Sequence, residues 1–412
     1  MVLSAKREVE IRREALGSQG PQCEKSRVRY PWGGLPAAGH TLPDPYAVCH
    51  PGAHRGAVWG AGMALLTTTI GAYPKPGFLP VPDWFQGGGG TDTQRPTQGY
   101  LEAVARMGDE AEALFARGTR QVIADQVEAG IDVPTDGEIR RENYIHYHCR
   151  HIAGIDFENL TPKAVRGGSY TAELPSITGP VRARDHFLAA DWRLAQSFTD
   201  KPVKITLPGP MTIADTTANL AYDDDEQLGA DLADALNSEI KSLAEAGCRW
   251  IQVDEPVFAR QPARALRYGV RHLERCFQDV PPGVIRVMHM CCGYPDCLDR
   301  EDYPKADRNA YLELAEAVDE TCIDAVSLED AHRHNDLSLL DRFAKTKIIL
   351  GVVAIAKSRI ETVDEIRTRL SAALEHVDGE RLIAAPDCGL GLLGRDLTIR
   401  KLTNMCEAAR SL

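Results

Sequence analysis

The chain has 412 residues and a formal net charge of −12, with 43% hydrophobic and 26% charged residues. That is enough for one barrel-sized domain or two smaller ones of ordinary soluble composition, and the acidic balance disfavours nucleic acid or an anionic membrane as main partner. No apolar run approaches the roughly 18–20 residues that cross a bilayer, no secretory signal is visible, and 11 Cys form no dense disulfide framework in so long a chain, so a reduced, cytoplasmic protein is expected.

Residues 1–62 show little periodicity and mix charge with Gly, Pro and His, which predicts a disordered or loosely attached extension. A targeting role is the alternative, but Glu8, Glu10 and Glu14 are acids that transit peptides avoid. The patterned sequence begins at Ala64, which makes Met63 a candidate start. An intact residue 1 in N-terminal sequencing of the native protein would exclude that hypothesis.

From 63 to 412, short apolar runs alternate with amphipathic stretches. The runs at 65–70, 131–135, 203–207, 250–253, 284–290, 323–328, 347–352 and 381–385 predict eight strands. Helices are predicted at about 97–129, 185–198, 225–246, 262–277, 307–320, 336–344, 361–376 and 396–410, with Gly247 and Gly379 as stop signals. Eight alternations predict an α/β protein, a (β/α)8 TIM barrel with insertions, occupying 63–412 as one domain. A doubly wound open sheet is the runner-up, without a GxGxxG or Walker loop to support nucleotide binding. The glycine run at 87–90 lacks the flanks of a phosphate cradle, and no repeat of 20–50 residues is present.

A barrel gathers chemistry at the C-terminal ends of its strands. In order, the runs end on Ile70-Gly71-Ala72, Asp136-Gly137-Glu138, Pro208-Gly209-Pro210, Asp254-Glu255, His289-Met290-Cys291, Glu329-Asp330, Lys357-Ser358-Arg359 and Asp387-Cys388-Gly389. His289 and Cys291 are two apart on one strand, so they project to the same face and could grip one ion. Zinc accepts N, S and O ligands of the kinds offered by His289, Cys291, Glu329 and Cys388.

The segments "TTTIGAYP", "DVPTDGEIRRENY", "LPGPMTI", "IQVDEP", "HMCCGYPD", "DAVSLED" and "PDCGLG", in this order over roughly 65–410, make the chain resemble the catalytic half of cobalamin-independent methionine synthase. More broadly it resembles the zinc-dependent thiol alkyltransferases, in a short single-barrel form. The resemblance implies a (β/α)8 barrel with Zn2+ on His289, Cys291, Glu329 and Cys388. It also implies that Glu138 and Asp254 hold the amino-acid part of homocysteine, with the Ile70-Gly71 turn at the substrate carboxylate. The implied reaction moves a methyl group to a zinc-activated thiol, giving methionine from homocysteine, with a methyl-folate or a methylated corrinoid protein as donor. Glu329 is the expected exchangeable ligand. Two pocket acids suit an ammonium and would repel the sulfonate of coenzyme M.

Some positions depart from the family pattern. Ala72 replaces the Ser of its "IGS" turn, Met211 to Thr217 carries no aromatic residue where a Trp stacks on the donor ring, and Lys357 stands for a catalytic His in an "HSPR"-like motif. The second, N-terminal barrel of the classical enzyme is also missing. Alternatives are therefore a transferase or lyase acting on another alkyl group or thiol, a related decarboxylase barrel, and an inactive zinc-binding barrel.

The remaining candidates have plainer readings. Cys292 should point away from Cys291 into the core, and Cys297 and Cys322 read as structural. Glu329 could instead pair with Arg333. His332 and His334 are either supports for the ligands or surface residues. His146, His148 and His151 read as a donor-side loop more than a second metal site. Arg140 and Arg141 would contact an anionic donor or solvent.

Overall fold

The computed structural model describes residues 64–85, 96–165, 170–293, 295 and 297–412. The expected extension at 1–62, Met63 and the glycine run at 87–90 lie outside these.

In chain order the strands are β1 (Leu66–Thr67), β2 (Ile152–Val165), β3 (Tyr170–Ala183), β4 (Lys204–Pro208), β5 (Ala218–Asn219), β6 (Trp250–Asp254), β7 (Ile285–Met290), β8 (Ala325–Leu328), β9 (Lys347–Val353) and β10 (Leu382–Pro386). Seven of them form one parallel sheet in the order β1-β10-β9-β8-β7-β6-β4. Helices follow most of these strands, as a parallel sheet buried on both faces requires. The run at 131–135 is expected to be a full strand but supplies only two isolated bridges, Thr68 to Val133 and Thr135 to Lys204, between the outer strands β1 and β4. Pro134 has no N–H to give to a ladder. The Gln126 side chain also takes the Thr135 backbone, accepting from its N–H at 3.0 Å and donating to its carbonyl at 2.9 Å.

Side chains alternate between the two faces of the sheet. Ile70, Val133, Trp250, Val287, Ala325, Ile349, Ile383 and Ala385 form one apolar cluster drawn from successive strands. Their sequence neighbours Ile251, Met288, Val326, Ile348 and Leu382 pack with the helices in the large cluster. His289 is two residues beyond Val287 and so shares its face, at the C-terminal end of β7.

The helices carry their own signals. Asp224 caps the helix Asp225–Ala246, which stops at Gly247 with φ 111°. Thr362 and Glu365 make a reciprocal capping box on Val363–Ala373. The stretch predicted as one helix over 97–129 is two, Pro96–Met107 and Ala111–Ala129, separated at Gly108 with φ 54°. The one over 336–344 tightens into a 3-10 turn, Leu337–Arg342.

The antiparallel β2–β3 hairpin, with β5 on its edge, is an insertion that periodicity did not predict. Pro162, Pro175 and Pro180 interrupt its pattern, and its register slips between Asp156 and Thr161. No described helix is long and apolar enough to cross a membrane.

Candidate active site

The C-terminal ends of the parallel strands open onto a cavity of about 550 Å³. Ile70, Gly71 and Ala72 line it, as do Glu138, Asp254, His289, Cys291 and Cys388. Eight of the residues expected at the site therefore share one chamber.

Three of them converge tightly. One donor atom each from His289, Cys291 and Cys388 lies within 4.8 Å of the others. The β7–β8 register sets Ser327 opposite His289, and the Ser327 hydroxyl meets His289 Nδ1 at 2.9 Å. That fixes the ring with Nε2 facing Cys388 Sγ at 3.4 Å. A hydrogen bond from Cys388, reinforced by His289, holds the buried Cys291 thiol well below the usual thiol range, while the same pairing pushes Cys388 up. Burial opposes charge on His289, but the bond to Cys291 and its negative charge raise the imidazole overall. Two sulfurs and an oriented imidazole can hold one soft or borderline cation, and three protein ligands leave a coordination position open.

Glu138 reaches the cavity through a strained turn, with φ 69° at Gly137 and 55° at Glu138 itself. Its Oε1 accepts from the Thr206 hydroxyl at 2.8 Å and faces the buried Arg141 guanidinium at 3.4 Å. Burial raises its pKa, and Arg141 opposes that rise. A Cβ at Gly71 would lie 2.6 Å from Glu138 Oε1, so any other residue there would displace that carboxylate. Asp254 pairs in register with His289 and accepts from Gln252 Nε2 at 2.7 Å, while the same amide donates to the Ile70 carbonyl at 2.8 Å. Burial pushes Asp254 up to about 7. Ala72 packs against the turn after Cys388, accepting from Leu390 N at 2.7 Å.

Glu329 is placed beside this trio, not within it. Its donor atom groups with His332 and Asp387 within 4.8 Å. Cys292 N donates to Oε2 at 2.8 Å, and the Lys305 ammonium is paired with Oε1. Burial, then the nearby Asp387, pushes Glu329 up to about 7 against the pull of Lys305. Asp387 accepts the backbone N–H groups of Asp330, Ala331 and His332 at 2.7–2.9 Å and meets His332 Nδ1 at 2.7 Å. His332 Nε2 accepts from Ala356 N at 3.2 Å, so the proton sits on Nδ1. His332 thus braces the loop that carries Glu329 against Asp387 and Ala356.

The lysine at the cavity is Lys305, not Lys357. Lys357 is half-buried in a turn held away from the lining by Ser358 N to Asp299 Oδ1, 2.8 Å, and Asp299 N to the Ala356 carbonyl, 2.8 Å. Lys305 gave no motif signal, since it follows an irregular loop rather than a strand. The aromatic residues at the cavity also come from elsewhere than the Met211 to Thr217 segment: Trp84, Phe85 and Tyr144 line it, with Trp84 and Tyr144 centroids 5.4 Å apart. Val165, Ala172 and Leu174 bring the hairpin into the same wall.

Other assignments sort themselves by burial. Cys292 is buried in the large core cluster, as expected, whereas Cys297 is exposed and not structural. Arg333 donates to the Ala306 carbonyl at 2.8 Å and leaves Glu329 to Lys305. Arg140 is tied to Glu112 and Asp191, and Arg141 to Thr206 and Asp136, so both are held by protein acids and carbonyls. His146 lines the cavity and burial lowers it to about 4; with His148 and His151 it forms no metal-ligand group among the described residues.

The family model described as cobalamin-independent synthase, catalytic domain, matches residues 65–411. A methionine synthase of Saccharolobus solfataricus is 30% identical over 350 residues, spanning 84% of this chain and 94% of that protein. Among solved structures, a B12-independent methionine synthase from Shewanella sp. W3-18-1 in complex with selenomethionine is 28% identical with a TM-score of 0.73, over 84% of this chain and 97% of that one. A methyltransferase from Methanosarcina mazei shares the fold at 14% identity and a TM-score of 0.51, over 81% of this chain and 94% of that one.

Proposed function

The chain belongs to the family of cobalamin-independent synthase catalytic domains, and from that premise we propose that it is a zinc-dependent methyltransferase that turns homocysteine into methionine. The observation that carries this reading is the convergence of His289, Cys291 and Cys388 in the same cavity as Glu138 and Asp254. The Shewanella relative is in complex with selenomethionine, the selenium analogue of the proposed product, which supports this reading. In this reading the two bridges at 133–135 stand for the eighth strand of a closed (β/α)8 barrel spanning 63–412, and the protein works in the cytoplasm.

His289, Cys291 and Cys388 would hold Zn2+, with Glu329 as the fourth, exchangeable ligand. Zinc there would keep the acceptor sulfur as a thiolate at neutral pH, where a free thiol with pKa near ~8.5 is mostly protonated. Ser327 orients the His289 ring for that task. Glu138 and Asp254 would receive the substrate ammonium, which restores charge to two carboxyls that burial has pushed toward neutrality. Gln252 and the Gly71 turn would keep those acids and the Ile70 carbonyl in one frame. In the reaction a sulfur–carbon bond forms as the donor's bond to its methyl group breaks, and the leaving atom of a folate donor takes up a proton.

The Trp84 and Tyr144 rings with the apolar hairpin wall suit a small planar donor, which favours a 5-methyltetrahydrofolate-type compound over a corrinoid protein. The deciding experiment loads the full chain with zinc and records X-ray absorption as homocysteine is added, followed by a methyl-donor panel. A new zinc–sulfur contact with homocysteine, and methionine formed from one donor, is the expected result. A metal spectrum indifferent to homocysteine and other thiols would remove the mechanism.

A further inference from the structure

We infer that Lys305 is a positioning residue that competes with the metal for Glu329 and so sets how readily an incoming thiol replaces that carboxylate. This rests on the zinc reading above. Glu329 is 4% exposed, and both of its oxygens are engaged, Oε2 by Cys292 N and Oε1 by the Lys305 ammonium. A buried carboxylate needs a cationic or hydrogen-bonding partner in every state it occupies. With Asp387 and His332 alongside, Lys305 is the ammonium paired with it among the described residues. The cluster that resembles a second metal site is thus already served by a protein cation.

The placement of Lys305 is built in. Its chain neighbour Ala306 donates its N–H to the Cys292 carbonyl at 3.0 Å, and the Ala306 carbonyl accepts from Arg333 at 2.8 Å. Lys305 is therefore pinned between the strand end that carries Cys291 and the loop that carries Glu329. Its ammonium also lies 5.2 Å from the centroid of the Tyr303 ring. Lys305 lines the cavity and Glu329 does not, so an arriving acceptor meets the lysine first.

The charge balance follows. Were an acceptor thiol to take the position of Glu329, it would release its proton to solvent and replace one anion by another, and the displaced carboxylate would be left buried. Lys305 neutralises it there. Without Lys305, Glu329 has only the metal as its cation and holds it more firmly.

The test uses the full chain loaded with Co2+ and two readouts: metal release to a chelator, and the optical change on titration with L-homocysteine. Lys305→Met should slow release about tenfold and raise the half-saturating homocysteine concentration about ten- to hundredfold, the range for residues that support a metal ligand. Lys305→Arg, which keeps the charge, should stay within about threefold of the unaltered protein on both readouts. In Glu329→Gln, adding Lys305→Met should change release no further. Unchanged release and titration in Lys305→Met would overturn the inference, as would faster release, the sign of simple structural damage. If homocysteine produces no optical change even in the unaltered protein, the acceptor assignment falls, and release alone decides the role of Lys305.

Discussion

Two adjoining clusters at the strand ends behave oppositely. His289, Cys291 and Cys388 place two thiols and an imidazole together, and their mutual contacts lower the Cys291 thiol and raise the His289 imidazole. Glu329, His332 and Asp387 place hard donors together, but those donors are already consumed by Lys305, Cys292 N and three further backbone N–H groups. Ligand-type residues at ligand spacing are therefore not enough to identify a metal centre. What separates the two is whether the lone pairs are spent within the protein.

The sharpest way to break the contrast is to remove a soft donor. Cys388→Ala should lower zinc content and methyl transfer by more than about a hundredfold, read by metal analysis and turnover, with the fold retained. Removing a hard donor should act on stability first. Asp387→Ala leaves three backbone N–H groups, that of Asp330 buried and the other two part-buried, and His332 without their acceptor, and should cost about 3 kcal/mol in urea denaturation.

Titration tests the ammonium pocket. Asp254 has its folded pKa raised from 3.8 to about 7, so the folded state binds the extra proton in that window. Its contribution to stability is present below about pH 4 and is lost as pH rises toward 7. Ammonium binding needs the carboxylate, so homocysteine affinity should rise by up to about tenfold per pH unit toward 7 and level off above it. Asp254→Asn should flatten that profile.

Two smaller effects complete the series. Ser327→Ala frees the His289 ring and should weaken metal binding by about tenfold. Lys357→Ala should change turnover by less than about twofold, since its side chain does not line the cavity.

Much of this was legible in the chain itself. Short apolar runs alternating with amphipathic, Gly-terminated helical stretches announced the parallel α/β sheet, because those signals act within a few residues. His289 and Cys291 converge as their i, i+2 spacing predicts, although β7 ends at Met290, one residue before Cys291. Departures came where local rules compete with distant partners. The run at 131–135 lost its ladder to Pro134 and the Gln126 side chain, and the β2–β3 hairpin was hidden by prolines that its bulged, half-exposed ladder tolerates. The aromatic wall was sought after Pro210, where the family pattern pointed, and is built from Trp84 and Tyr144 on other segments.

By itself the sequence determined the α/β class and the strand ends at which polar and ligand-type residues gather, since apolar runs and their order place those ends; the resemblance pointed to His289, Cys291 and Cys388 among them. Only the tertiary structure decided that Glu329 rests on Lys305 and not on Arg333, and that Asp387 is consumed by its neighbours. Those pairings join irregular loops 24 to 57 residues apart in the chain. The path of such loops is fixed by packing against the finished sheet, and no local period encodes it.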